Sequence, residues 1–163
     1  MMMGVAVNRL DNSVFYKSEE PDVIDTRFGK IALQKQAPIT FLRGLLGMPD
    51  KFNFFLTDFP SARLGKFKLL QSLDDYSLSF ITLPLTLQNG IIAAEDISQA
   101  CVQLGITIEN LVTLLIVSVH RNAGKTSLSV NARAPLLIDS SARLAAQYVF
   151  PTDRYQVQQT ITL

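Results

Sequence analysis

The sequence predicts a mainly β protein: a single domain built as a barrel or a sandwich, with one short helix at about residues 93–104. Three observations predict it. First, about ten short segments rich in β-branched and aromatic residues alternate with Gly, Pro, Asn and Asp, at the spacing of a barrel or sandwich. Second, one segment stands out with a helical apolar stripe, Ile97, Ala100, Cys101 and Leu104 at i, i+3, i+4 and i+7. Third, 163 residues that are 48% apolar and 18% charged suffice for one hydrophobic core, and a single cysteine excludes an internal disulfide.

Residues 1–22 read as a weakly ordered N-terminal lead and residues 23–163 as one domain. The opening apolar stretch lacks a positive region before it, so no signal peptide is expected, and a cytoplasmic location follows. Val23 to Thr26 is a short strand, Phe28-Gly29 the turn, and Lys30 to Leu33 the returning arm. Ile39 to Phe41 is a third strand, and Gly44 to Asp50 a loop by its Gly and Pro content. Phe52 to Thr57 is aromatic-rich and bounded by prolines. In Phe67 to Ser72, Lys66 and Lys68 alternate with Phe67 and Leu69, the period of a half-buried strand. Asp74-Asp75 turns the chain into Ser77 to Leu83, which Pro84 ends.

The helix over 93–104 opens with Glu95 and Asp96, which suit the positive end of its dipole, and stops at Gly105. Cys101 lies on its apolar stripe and reads as a buried structural thiol. Leu111 to Val119 is continuously apolar and β-branched, as in a strand buried on both faces. His120 to Lys125 turns it into an alternating return strand carrying Leu128, Val130 and Ala132. Leu136 to Ile138, Ala145 to Phe150 and Tyr155 to Ile161 complete the strands.

Enzymatic constellations are thin. His120 is the only histidine, and no nucleophile elbow or Cys-His signature accompanies it. One Cys, one His and dispersed carboxylates match no metal-site spacing. Gly124-Lys125-Thr126 imitates the end of a phosphate-binding loop, but Val119 stands where that motif needs Gly. No catalytic residue, cofactor or metal is expected, and the residues alone point to a binding or regulatory module. Two other classes stay open: a small-molecule-binding barrel or unrecognised enzyme, and an RNA-binding β-barrel.

The net charge of +1 is unevenly placed. Residues 69–120 hold Asp74, Asp75, Glu95, Asp96 and Glu109 and no Lys or Arg, a charge of −5 against +6 elsewhere. An acidic face for a basic partner would follow if the fold kept those residues together.

Several segments, taken together, resemble the flagellar assembly factor FliW family. They are Thr26-Arg27-Phe28-Gly29-Lys30-Ile31, and Ile39-Thr40-Phe41 with Gly44-Leu45 and Gly47. Then come Phe67 to Ser72 with Asp75, Leu78 and Phe80, Val130 to Pro135, and finally Gln147 and Tyr155. The resemblance covers about residues 22–157. It implies a compact, mainly antiparallel β-barrel-like fold with a small helical insertion, and no catalysis. It also implies two protein partners, flagellin and a translational repressor, the carbon storage regulator, exchanged competitively by a cytoplasmic monomer that contacts neither nucleic acid nor membrane. On this reading the partner-binding candidates are Phe41, Gly44, Leu45 and Gly47 in the loop, with Gln71, Asp75, Asn131 and Arg133. The glycines also serve turn geometry and Phe41 the core. Glu95 and Asp96 centre the acidic region where a basic repressor would dock. The chain departs from the family in its near-neutral charge and in Leu46 and Met48 of the loop, where Pro and Phe are usual.

Overall fold

A computed structural model of the chain describes residues 22–35, 37–86 and 88–162. The predicted N-terminal lead, apart from Asp22, therefore lies outside the described residues. The chain runs β1 (Val23–Thr26), β2 (Gly29–Ala32), β3 (Ile39–Phe41), β4 (Asn53–Asp58), β5 (Lys68–Ser72) and β6 (Ser79–Pro84). It continues through helix α1 (Ala94–Leu104) to β7 (Leu111–Asn122), β8 (Lys125–Val130), β9 (Leu136–Asp139), β10 (Leu144–Gln147) and β11 (Gln159–Ile161).

Seven of these strands close on themselves in the order β7-β6-β5-β4-β3-β10-β9, with β9 returning to β7. This is the predicted barrel, with one difference. All neighbours are antiparallel except β3 and β10, which run parallel through Leu144 opposite Thr40 and Ala145 opposite Phe41. The two strands are a hundred residues apart in sequence, so no hairpin dictates their relative direction. β7 makes the closure possible by its length. Residues 111–114 pair with β9, and residues 117–122 leave the barrel to pair with β8, which β11 extends.

The two-residue side-chain period sorts the core. Phe41, Phe54, Leu70, Leu114 and Leu136 point inward and are fully buried, so the barrel is filled by its own side chains. The opposite faces are covered from outside. Phe67, Leu83, Leu115 and Val117 pack with Ile97 and Cys101 of α1 and with Val130, Phe150 and Tyr155. The β1–β2 hairpin lays Ile31 and Leu33 over Phe55 and Leu69. The apolar run starting at Leu111 is therefore buried on both faces, as predicted, as far as Val117; beyond that point Val119 is 44% exposed in the protruding ribbon.

Several boundaries shift for identifiable reasons. The first hairpin turns on Arg27-Phe28, and Gly29 opens β2 with φ +126°, a value suited to glycine. Pro84 is the last residue of β6, opposite Leu114; it needs no ladder N–H there, and Leu85 N–H donates to Thr113 instead. β7 runs three residues past Val119 to a two-residue turn at Ala123-Gly124, both at positive φ, as the twist of a tight hairpin demands. Tyr155 is buried but outside any strand, and only Gln159–Ile161 of that predicted segment is a strand. α1 begins at Ala94 and ends at Gly105 in the left-handed conformation, with Ile97, Ala100 and Cys101 buried. Leu104, the fourth member of the predicted stripe and the last residue of α1, is 37% exposed.

Candidate functional site

The predicted loop folds into a tight turn at the barrel rim. Leu45 and Met48 bridge each other, Leu46 and Gly47 form the tip, and Gly44 and Gly47 hold positive φ. Gln147 of β10 ties the loop down: its Oε1 accepts the Leu46 N–H at 2.9 Å, and its Nε2 donates to the Ala134 carbonyl at 3.2 Å. Asn131 Oδ1 in turn accepts the Ala134 N–H at 3.0 Å. Arg133 pairs with Asp153 at 3.3 Å. The loop thus adjoins the segment carrying Asn131 and Arg133 on one side.

On its other side lies the β5–β6 turn. Asp74 accepts the backbone N–H groups of Phe52 and Asn53 at 2.6 and 2.9 Å. Burial pushes its carboxyl up, but the donors of Asn53 and Phe52 and the charge of Lys51 outweigh that and hold it below the ordinary aspartate value. Asp75 is held low by the Ser77 hydroxyl and N–H. One continuous rim therefore runs from Arg133 through the loop to Asp75.

Within that rim the predicted residues divide by exposure. Phe41 is fully buried, packed edge-to-face on Phe54 with centroids 5.4 Å apart. Leu45 and Gly44 are buried too. Gln71, predicted among the polar candidates for contact, is fully buried beneath the β5–β6 turn; its Nε2 lies 3.0 to 3.1 Å from the carbonyls of Ser72, Tyr76 and Leu78. Gly47 is exposed, and Asp75, Asn131 and Arg133 are half-buried. The sequence reading missed Leu42, Leu46 and Phe52, which are 67%, 59% and 39% exposed on the loop and its return. Leu46 carried a legible signal: an apolar residue at a turn tip beside Gly47 is oddly placed unless something covers it.

Glu95 and Asp96 sit away from this rim. Asp96 is spent internally, pairing with Arg154 at 2.9 Å and accepting the Tyr155 hydroxyl, while Glu95 is exposed. Burial first, and the bond to Asp96 second, push the Tyr155 phenol up. The acidic segment does not form one face: Asp74 and Asp75 precede β6 while Glu95 and Asp96 follow it, some 20 Å of strand between.

Chemistry elsewhere is sparse. His120 Nε2 lies 2.7 Å from the buried Ser129 Oγ across the β7–β8 ribbon. Among the described residues, no carboxylate bonds to that imidazole, and no group of three or more His, Cys, Asp or Glu could hold a metal ion. Burial pushes the Cys101 thiol up, away from reactivity. An open groove of about 1180 Å³ runs outside the barrel between β11 and the ends of β5 and β6. No helix among the described residues is long and apolar enough to cross a membrane.

Comparison with known proteins agrees with this geometry. The model of the FliW protein family matches residues 22–161. A flagellar assembly factor FliW of Leptospira interrogans is 26% identical over 135 residues, covering 82% of this chain and 88% of the relative. One from Geobacter sulfurreducens is 28% identical over 138 residues, covering 82% of each. A crystal structure of the flagellar assembly factor FliW superposes with a TM-score of 0.64 at 22% identity, over 85% of this chain and 96% of that one. The filled barrel, helix α1 laid on its wall and a family match spanning nearly every described residue lead to one conclusion: the chain belongs to the FliW family of flagellar assembly factors.

Proposed function

We propose that the protein is a non-enzymatic regulator that binds flagellin and, in exchange, the carbon storage regulator, so that free flagellin controls how much repressor is sequestered. The observation that supports this reading is the rim around the 41–52 loop. It exposes Leu42, Leu46 and Phe52 beside Asp75, Asn131 and Arg133, on a barrel whose interior is already filled. Exposed apolar side chains flanked by polar groups are the composition of a protein-binding surface. Phe41, Gly44, Leu45 and Gln71 act on it indirectly, by shaping the loop and the β5–β6 turn. Glu95, exposed on α1, contributes charge to repressor docking, and Asp96 positions the helix. Two complexes that compete for one protein shift one another by mass action, which is all the switch requires.

The protein acts as a cytoplasmic monomer in this scheme. Calorimetry with the cognate flagellin and repressor tests it. Each should bind, and pre-saturation with one should abolish heat from the other. Leu46→Lys should weaken binding while leaving the unfolding midpoint unchanged, since Leu46 touches no core. No binding of either protein at tens of micromolar, or simultaneous binding of both without competition, overturns the scheme.

A further inference from the structure

The groove outside the barrel is built on a strand edge. Among the described residues β11 ends the sheet, paired with β8 on one side. Gln159, Thr160, Ile161 and Thr162 all line the groove. Successive side chains of a strand point to opposite faces, so the three consecutive residues of β11, with Thr162 after them, line one groove by presenting the strand's edge. An edge carries unpaired N–H and C=O groups that an added strand would satisfy.

The facing walls set the chemistry. Leu83 and Ile91 give apolar contacts on the far side. The described lining holds three cations, Lys66, Lys68 and Arg154, and no carboxylate. Lys68 pairs with Asp58 and Arg154 with Asp96, both outside the lining. Lys66 is exposed, makes no ion pair among the described residues, and sets its Nζ 3.5 Å from the Thr162 carbonyl at the end of β11. Single-stranded nucleic acid would need aromatic faces for its bases. Phe67, the aromatic between the two lysines, is turned into the core.

We propose that this groove is a docking site for an extended, acidic peptide segment of a partner protein, which adds as a strand to the free edge of β11 and places a carboxylate on Lys66. The site is separate from the loop rim, and Lys66, which makes no ion pair among the described residues, disfavours a basic partner. It therefore stands or falls independently of the flagellin and repressor exchange.

The test uses the whole chain and labelled synthetic peptides about seven residues long, enough for one strand. One alternates Val and Thr with Glu, and its control carries Lys in place of each Glu. By fluorescence anisotropy the Glu peptide should bind about tenfold more tightly than the Lys peptide, with Lys66→Glu removing that preference while the far-UV dichroism stays unchanged. Amide exchange at residues 159–162 should slow on adding the Glu peptide, which loose electrostatic adhesion would not cause. Equal binding of the two peptides overturns the proposal, as does unchanged exchange in β11. So does displacement of the peptide by poly(U), or a sedimenting dimer of the chain that blocks it.

Discussion

A Cβ on Gly44 would sit 2.6 Å from the Met48 carbonyl oxygen and 2.8 Å from Pro49 Cα, at a φ of +66° that side chains rarely adopt. Both contacts are backbone, which cannot step aside. Gly44→Ala should therefore lower stability by about 2–3 kcal/mol in urea unfolding. Gly47→Ala, at φ +79° but in open space, should cost only about 1 kcal/mol. Equal losses at the two positions would mean that strain, not crowding, dominates. Asp74 offers a pH test. Its folded carboxyl sits below its unfolded value, so its contribution is present above the ordinary aspartate range and is lost as pH falls through the folded value. Asp74→Asn should cost about 0.5 kcal/mol at neutral pH, the exposed site being screened by solvent, and the gap to wild type should close as pH falls below the ordinary aspartate range. A gap that is flat with pH would show that the charge contributes nothing there.

Elements are held by a few such contacts and betray themselves at their ends. The β7–β8 ribbon turns on Ala123 at φ +48°, in a position where glycine or asparagine is usual. Ala123→Gly should stabilise the protein by about 0.5 kcal/mol, read as a higher thermal midpoint. Helix α1 has no side-chain N-cap. Its first turn is anchored instead by Asp96 to Arg154 and Tyr155, and the Tyr155 oxygen accepts the Ala93 N–H at 3.1 Å. Asp96→Ala should cost about 1–2 kcal/mol and let Tyr155 ionise at lower pH by ultraviolet titration, whereas Glu95→Ala should change stability by less than about 0.5 kcal/mol.

Across the whole molecule, charge segregated along the chain is remixed by folding. Of the −5 of residues 69–120, Asp74 and Asp75 precede β6, Glu95, Asp96 and Glu109 follow it, and Arg154 neutralises part. A near-neutral protein with such pairing has little long-range field to steer a basic partner. In the proposed exchange, the affinity for the repressor should therefore change less than about threefold between about 0.05 and 0.3 M salt, measured by calorimetry. A steep salt slope would point to an acidic surface assembled from residues beyond those paired here.

The mainly β class, the helix with its stripe and most strands were legible in the sequence, because side-chain period and turn residues are local signals. The sequence also carried the family resemblance, which rests on the order of short motifs. The tertiary structure decided what local signals cannot hold. Barrel closure depends on β7 serving two partners, and the parallel joining of β3 to β10 depends on residues a hundred positions apart. Exposure was decided there as well. Gln71 reads as a surface residue until the β5–β6 turn folds over it, and Asp96 reads as free charge until Arg154 arrives from 58 residues away. Which polar groups remain for a partner is settled by what the rest of the chain covers, and covering is a property of packing rather than of sequence position.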